Sequence, residues 1–266
     1  MKCWFTLLNL FACASVGARE LSPDRPDTTE SPITVEVGHF QIESSLWSLS
    51  RNKDAAGSVS IWVFGESNFK LGLTEDQDVQ LVLRPWIETR VRAAGVESTA
   101  QGFGDAELRW KWNFWGNDGG TTALALMPFV AIPSQTAVSV GEWEGGVIVP
   151  VSIALGERFG LGFQLEVDRV WDDTSLDHRW QLLHSVVLGI DLTDSAGLYL
   201  EYIGVVSGGA YEAKGSAGLT SATGEKFPVG FGREMGAERG CRGSVDFPGI
   251  HLPLLTAADC DTFFKK

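Results

Sequence analysis

Across residues 103 to 115 polar and apolar side chains alternate without error: Asp105, Glu107, Arg109, Lys111 and Asn113 stand against Ala106, Leu108, Trp110, Trp112 and Phe114. Successive side chains on a strand point to opposite faces, so this segment is a strand with one charged side and one apolar side. A strand of a soluble sandwich has the same period, and alternation alone does not separate the two cases. Length and aromatic placement favour a membrane strand. The apolar stripe ends in Trp110, Trp112, Phe114 and Trp115 beside the turn Gly116-Asn117-Asp118-Gly119-Gly120, where an interfacial girdle lies in a membrane barrel. Leu108, Trp110, Trp112, Phe114 and Trp115 are therefore expected to face lipid.

The pattern recurs along the chain. Val79, Leu81, Leu83, Ile87 and Val91 oppose Gln80, Arg84, Trp86, Glu88 and Arg90, while Leu161, Phe163, Leu165 and Val167 oppose Gln164, Glu166 and Asp168. A tilted strand needs about 9 to 11 residues to cross the hydrocarbon layer, against 5 or 6 in typical soluble sheets. By this template roughly ten segments qualify, near residues 34–50, 58–73, 78–92, 103–115, 121–133, 143–155, 160–172, 178–191, 196–207 and 210–222. Turn residues separate them at hairpin spacing, as in Thr74-Glu75-Asp76-Gln77 and Thr193-Asp194-Ser195, which predicts an antiparallel meander. Residues 124–132 and 147–155 are apolar on both faces, which suggests strands covered on the inner side by lumen side chains or a plug. The predicted fold is all-β, an antiparallel up-and-down transmembrane β-barrel over residues 34–222.

Bulk properties agree with one exported domain. The 266 residues carry a formal net charge of −13, which disfavours nucleic acid as a partner. A mean hydropathy of +0.03 is too low for a polytopic helical membrane protein, and no run of 18 apolar residues follows the leader. Lys2, the apolar stretch 4–16 and Val16-Gly17-Ala18 have the order of a signal peptide, assigned to residues 1–18. Residues 19–33, with Pro23, Pro26 and Pro32, read as an extended periplasmic lead-in. Cys3 and Cys13 fall in the leader and Cys241 and Cys260 near the other end, so the body has neither a disulfide framework nor a thiolate metal site.

The charged faces supply the candidate site. Arg84, Glu88, Arg90, Asp105, Glu107, Arg109, Lys111, Gln164, Glu166 and Asp168 are expected to line a lumen, solvated and cross-paired with neighbouring strands. An active-site reading of the same acids and bases is weaker. His39, His178, His184 and His251 are scattered without metal-ligand spacing, and no Gly-x-Ser-x-Gly elbow occurs. No catalytic residue, metal or cofactor is assigned. The expected function is passive passage of a small-molecule solute across the bacterial outer membrane, with outer-membrane lipid outside the barrel. Two alternatives stand beside it: a soluble periplasmic or secreted β protein that binds ligands in a cavity, and a barrel enzyme of the hydrolase or acyltransferase type.

Several of these segments also carry a family resemblance. Leu21-Ser22-Pro23-Asp24-Arg25-Pro26-Asp27 with Thr29-Glu30-Ser31-Pro32, Gly102-Phe103-Gly104-Asp105 leading to Arg109-Trp110-Lys111-Trp112-Asn113, Met127-Pro128-Phe129 with Ile132-Pro133, and Glu144-Gly145-Gly146-Val147-Ile148-Val149-Pro150 resemble the bacterial transporter proteins grouped as "putative MetA-pathway of phenol degradation". The likeness covers roughly residues 21–222. It implies an outer-membrane barrel of about a dozen strands that passes aromatic or other small hydrophobic compounds, and it brings no catalytic residues.

Residues 223–266 depart from that pattern. After Glu225-Lys226-Phe227 the alternation stops, and Gly, Arg, Pro and Cys crowd together. The hypothesis that explains the break is a frameshift near Phe227, with the last hairpin damaged. Permissible codons for residues 228–247, read one base later, encode Arg-Leu-Asp-Leu-Gly-Val-Lys-Trp-Gly-Leu-Asn-Ala-Ala-Ala-Glu-Asp-Leu and, after one ambiguous codon, Thr-Phe, which has a strand-turn-strand pattern; Met235 followed by Gly236 forces the Trp. The coding DNA around Phe227 tests this directly. The shifted frame is expected to read through as those residues, and a stop codon or a different text there would make the tail genuine.

Overall fold

A segment that alternates over ten or more residues can satisfy its backbone groups only through ladders with its neighbours, so such segments associate edge to edge. The computed structural model of the chain describes residues 22–53, 57–222, 228–237, 245–247 and 250–252, with side chains up to residue 221. Among the described residues there is no helix. Twelve of the strands run in chain order as β1 (Phe40–Lys53), β2 (Gly57–Thr74), β3 (Gln77–Leu83), β4 (Trp86–Ala93), β5 (Val96–Gly102), β6 (Ala106–Trp115), β7 (Thr122–Ile132), β8 (Glu144–Ala154), β9 (Phe159–Asp172), β10 (Asp177–Thr193), β11 (Ala196–Ser207) and β12 (Ala210–Ala222). A further strand, β13 (Pro228–Ala237), pairs with β12, and β14 (Val245–Phe247) pairs with β15 (Ile250–Leu252) in a separate hairpin. The expected leader, Phe227 and the four cysteines lie outside the described residues.

The main sheet has 13 strands and every ladder in it is antiparallel. β2 pairs with β3 along one half and β4 along the other, while β3 and β4 pair onward with β6 and β5. The pairs β3/β4 and β5/β6 are thus each one line of sheet interrupted midway, at Arg84-Pro85 and at residues 103–105. The all-β antiparallel meander expected from the sequence is the fold observed. It extends one strand further than residue 222, because Pro228–Ala237 pairs along β12 in an unbroken register. It begins later than residue 34, because β1 starts at Phe40. Among the described residues β1 and β13 do not pair, and the sheet is not closed.

Two short turns show why the chain reverses where it does. Ser207 pairs with Ala210 across Gly208-Gly209, both at positive φ. Ala93 pairs with Val96 across Ala94-Gly95, again both at positive φ. Two-residue loops with both central residues left-handed match the twist of antiparallel strands. The second turn also makes β5, a strand that lacks alternation and that the sequence pattern does not reveal.

The faces are sorted by polarity. Leu108, Trp110, Trp112, Phe114 and Trp115 are all more than 40% exposed, and no second sheet among the described residues covers them. On the same β6, Glu107, Arg109, Lys111 and Asn113 are buried. The apolar side is outermost and the charged side innermost, the reverse of a soluble sheet.

Candidate functional site

The inner face collects polar side chains from nearly every strand. Glu43 of β1, Asn68 and Lys70 of β2, Asp78 and Gln80 of β3, Glu107, Arg109, Lys111 and Asn113 of β6, Gln164, Glu166 and Asp168 of β9, Ser185 of β10 and Glu201 of β11 are all buried. What buries them is the chain's own segment 22–37, which lies extended across this face as a strap.

The strap has no ladder partner along residues 22–36, so its backbone donors must be met by side chains. Three prolines remove donors from the account. Of the rest, the Asp24 amide donates to Glu43 (3.1 Å to Oε2), the Thr28 and Thr29 amides to Glu201 Oε1 (3.0 and 2.8 Å), and the Glu30 amide to Gln164 Oε1 (2.7 Å). The Thr34 amide donates to Asn117 Oδ1 (3.1 Å) and the Val35 amide to Asp78 Oδ2 (3.0 Å). In return Asn113 donates to the Pro32 carbonyl at 2.8 Å. A short parallel bridge, Val37 to Gly72, ends the strap beside β2.

These contacts fix the shape of the sheet. Asp24 reaches β1 and Thr28 reaches β11, yet four residues of extended chain span at most about 14 Å. In a flat sheet eight strand spacings of about 4.8 Å, nearly 40 Å, would separate those strands. The sheet is therefore rolled around the strap.

Charge pairing reinforces the docking. Asp24 sits between Lys70 and Lys111 (3.2 Å from Lys111), and Lys70 also contacts Glu43. Arg109 bridges Glu30 and Glu107. Arg25 reaches Glu66, which also holds Arg84 at 2.6 Å. The side chains of Lys70 and Lys111 are 2% and 1% exposed. Charges buried this deeply require such partners.

The expected lumen residues divide under this geometry. Arg84, Glu107, Arg109, Lys111, Gln164, Glu166 and Asp168 come together on the inner face. They are packed against the strap and one another, whereas the sequence reading has them solvated. Asp105 is also buried, but its carboxylate accepts the Ser134 and Val140 amides (2.8 and 3.0 Å) and anchors the loop after β7.

Glu88 and Arg90 are a correction. Their neighbours Ile87 and Thr89 are buried, and Ile87 packs inward with Ile61, Val63 and Val138. Glu88 is paired beside Trp62, on the face that carries Phe64 and Trp86, and Arg90 joins Glu88 and Glu97 there. The cause is a switch of sidedness by one residue at Pro85, level with Gly65 at φ +69 on β2. Period 2 carried across that break assigns the wrong face.

The docking of the strap is the part of this site that the sequence pattern does not disclose: residues 19–33 appear there only as a periplasmic lead-in. The available signal was its run of Asp, Thr and Glu between prolines, set against basic Lys70, Arg109 and Lys111 on otherwise mixed strands. Among the described side chains the histidines form no cluster, with His178 bound to the Trp143 carbonyl and His184 stacked on Tyr211.

The sequence matches the family described as "Putative MetA-pathway of phenol degradation" over residues 23–232. The chain belongs to this family. The match begins within the strap and runs into β13, so the family pattern includes the segment that fills the sheet as well as the sheet. A search of curated proteins finds no match.

Asp24→Asn preserves shape while removing the charge between two buried ammonium groups. Losing one partner of a buried pair costs about 3–5 kcal/mol, which lowers the docked-to-undocked ratio by roughly two to three and a half powers of ten. Hydrogen exchange at the Thr28 and Thr29 amides should report that loss, and unchanged protection would mean that the strap is not held at Asp24.

Docking also has a pH signature. Burial, and then the nearness of Asp24, push the Glu30 carboxyl up to about 7 against the pull of Arg109, and burial with Glu201 raises Asp27. Burial would raise Asp24 too, but Lys111 and Lys70 hold it well below the carboxylate range. A carboxyl with a higher pKa docked than free takes up a proton on docking, so its contribution is complete below about 4.5 and is lost as pH rises to about 7. Asp24 contributes above 3.8 and loses its contribution only in stronger acid. Protection factors of Thr28 and Thr29, corrected for intrinsic exchange, are expected to be higher at pH 5 than at pH 8. The reverse order would refute the assignment.

Proposed function

We propose that this family member is a bacterial outer-membrane β-barrel for passive passage of small molecules, with residues 22–37 as a plug that sets how far the lumen is open. The observation that carries the reading is the sorting of the two faces along strands of membrane length. Trp110, Trp112 and Phe114 stand outermost on β6 while Glu107, Arg109 and Lys111 lie inside, an arrangement that suits lipid outside and a polar lumen within. Export by a signal peptide over residues 1–18 belongs to the same proposal. So does the absence of a catalytic role, because the inner charges pair with the strap and with one another.

The family description supports a small aromatic solute of the phenol kind. Such a molecule is neutral near pH 7, so the excess of carboxylates on the inner face sets no electrostatic barrier to it. Passage needs no energy coupling, only displacement of the strap from Glu201, Arg109 and the two lysines.

Planar bilayer recordings test the proposal. The intact chain is expected to give low or intermittent conductance, and the full-length Asp24→Asn chain, whose strap undocks more often, longer openings. Absence of conductance and of solute flux in both proteins would remove the pore reading. Recovery of a soluble monomer from the periplasm would remove the membrane location.

A further inference from the structure

Beyond the break at Gly65 and Pro85, strands β1, β2, β4 and β5 continue side by side, and their register sorts the outer face of this end into rows. Ile61, Val63 and Ile87 point inward, so the residues that alternate with them point outward. Nearest the break stand Trp47, Phe64 and Trp86, followed by Leu49, Trp62, Glu88 and Gln101. Trp62 stacks on Phe64 with ring centroids 5.9 Å apart and lies 5.8 Å from the Trp47 ring. The next row is Arg51, Ser60, Arg90 and Thr99, and the last is Lys53, Ser58, Arg92 and Glu97. Apolar rings thus give way to cations along one face.

Among the described residues, four cations meet two carboxylates here, in a chain of net charge −13. Arg90 lies 2.8 Å from Glu88 and 3.4 Å from Glu97, and Arg92 lies 2.9 Å from Glu97. Exposed pairs of this kind are worth at most about 1 kcal/mol, so both guanidinium groups have N–H donors to turn towards another anion. Arg51 and Lys53 are exposed on β1. Ser60 stands between Arg51 and Arg90, and Ser58 between Lys53 and Arg92. With strands about 4.8 Å apart, the two pairs of cations flank a trough about 10 Å across, with hydroxyls on its floor.

The rows have the profile of a membrane boundary. Gln77 is level with Trp112 in the other aromatic band, and from it to Trp86 the line of β3 and β4 runs roughly 30 Å at about 3.3 Å per residue. At a tilt near 40° that gives about 23 Å of height, close to the apolar band of about 25 Å in outer-membrane barrels. The Trp47 and Trp86 rings then lie at the hydrocarbon edge, and the cations beyond them reach headgroup level.

We propose that Arg51, Lys53, Arg90 and Arg92 clasp the phosphate of an anionic lipid headgroup against Ser58 and Ser60. Clustered Lys and Arg beside a membrane attract anionic headgroups, and the aromatic rows on the same face give the acyl chains their place, which free phosphate would not use. The inference rests on the membrane location proposed above and is independent of conduction.

The test is lipid retention by the full-length protein folded in a neutral detergent, read by native mass spectrometry during titration with phosphatidic acid. Diacylglycerol with the same chains lacks the phosphate and is the control, with inorganic phosphate as a competitor. Phosphatidic acid is expected to bind saturably, about tenfold or more tighter than diacylglycerol, and to resist excess inorganic phosphate. Arg51→Gln with Lys53→Gln, and Arg90→Gln with Arg92→Gln, should each weaken retention about tenfold or more. Arg158→Gln, at the opposite end of the sheet, should leave it unchanged. Equal retention of the two lipids, displacement by inorganic phosphate, or double variants that bind like the unaltered chain would each overturn the proposal. Should a double variant fail to fold, the comparison of lipids on the unaltered chain still decides. A protein that conducts but retains lipid regardless of these cations refutes the lipid site alone, and one that retains lipid through them without conducting refutes the pore alone.

Discussion

Asp24, held between Lys70 and Lys111, is the contact on which the rest of the interior depends. Two ammonium groups with almost no exposure cannot remain charged against an apolar wall, and β2 and β6 supply too few carboxylates of their own to meet them. Glu43 contacts Lys70, but Lys111 relies on the strap. The sheet thus requires residues from outside itself. Once Asp24 is placed, the prolines of the strap and its short reach oblige Thr28, Thr29 and Glu30 to meet β11, β9 and β6 within a few residues. Curvature of the sheet and docking of the strap are one event seen from two sides.

That dependence explains what the sequence discloses and what it withholds. Asp105 to Phe114 alternate so regularly that strand, length and face all follow from the residues, and each of the ten segments found that way overlaps a strand of the sheet, with 78–92 overlapping two. Alternation is a local property and carries no information about what lies against a face. The partners of Lys111 and Glu201 sit 87 and about 170 residues away, so no period betrays them. β7 gives an intermediate case. Ala123, Ala125, Met127 and Ala131 are its buried inner residues, and their lack of polarity correctly indicates a covered strand without naming the cover.

The misplacement of Glu88 and Arg90 follows from the same limit. Period 2 holds only while the ladder is unbroken, and here three neighbouring lines of sheet break at one level: Gly65 on β2, Pro85 between β3 and β4, and residues 103–105 between β5 and β6. Proline at position 85 removes a ladder donor, and the left-handed Gly65 lets its strand turn over without side-chain strain. The result is an end of the sheet with a different interior, where Ile61, Val63 and Ile87 replace the charged set. Glu88, Arg90, Arg92 and Glu97 form exposed pairs outside. Charged groups of that kind suit water and not hydrocarbon, so this end of the sheet projects beyond any membrane layer that the Trp110 and Trp112 band defines.

Among the described residues the outer edges of β1 and β13 have no partner, and they set the remaining constraint. In hydrocarbon every backbone N–H and C=O left without a partner costs several kcal/mol, and a spanning sheet must close. The thirteen strands make eleven lines, and bacterial single-chain barrels have even numbers. One further line between β13 and β1 would complete twelve, the number implied by the family resemblance. The strap already draws β11 towards β1 through Glu201 and Glu43, so the gap is bounded by contacts that exist without the missing line. If the sheet spans a bilayer as proposed, closure asks for one line beyond those described, while the described strands hold their curvature through the buried charges of Asp24, Lys70 and Lys111.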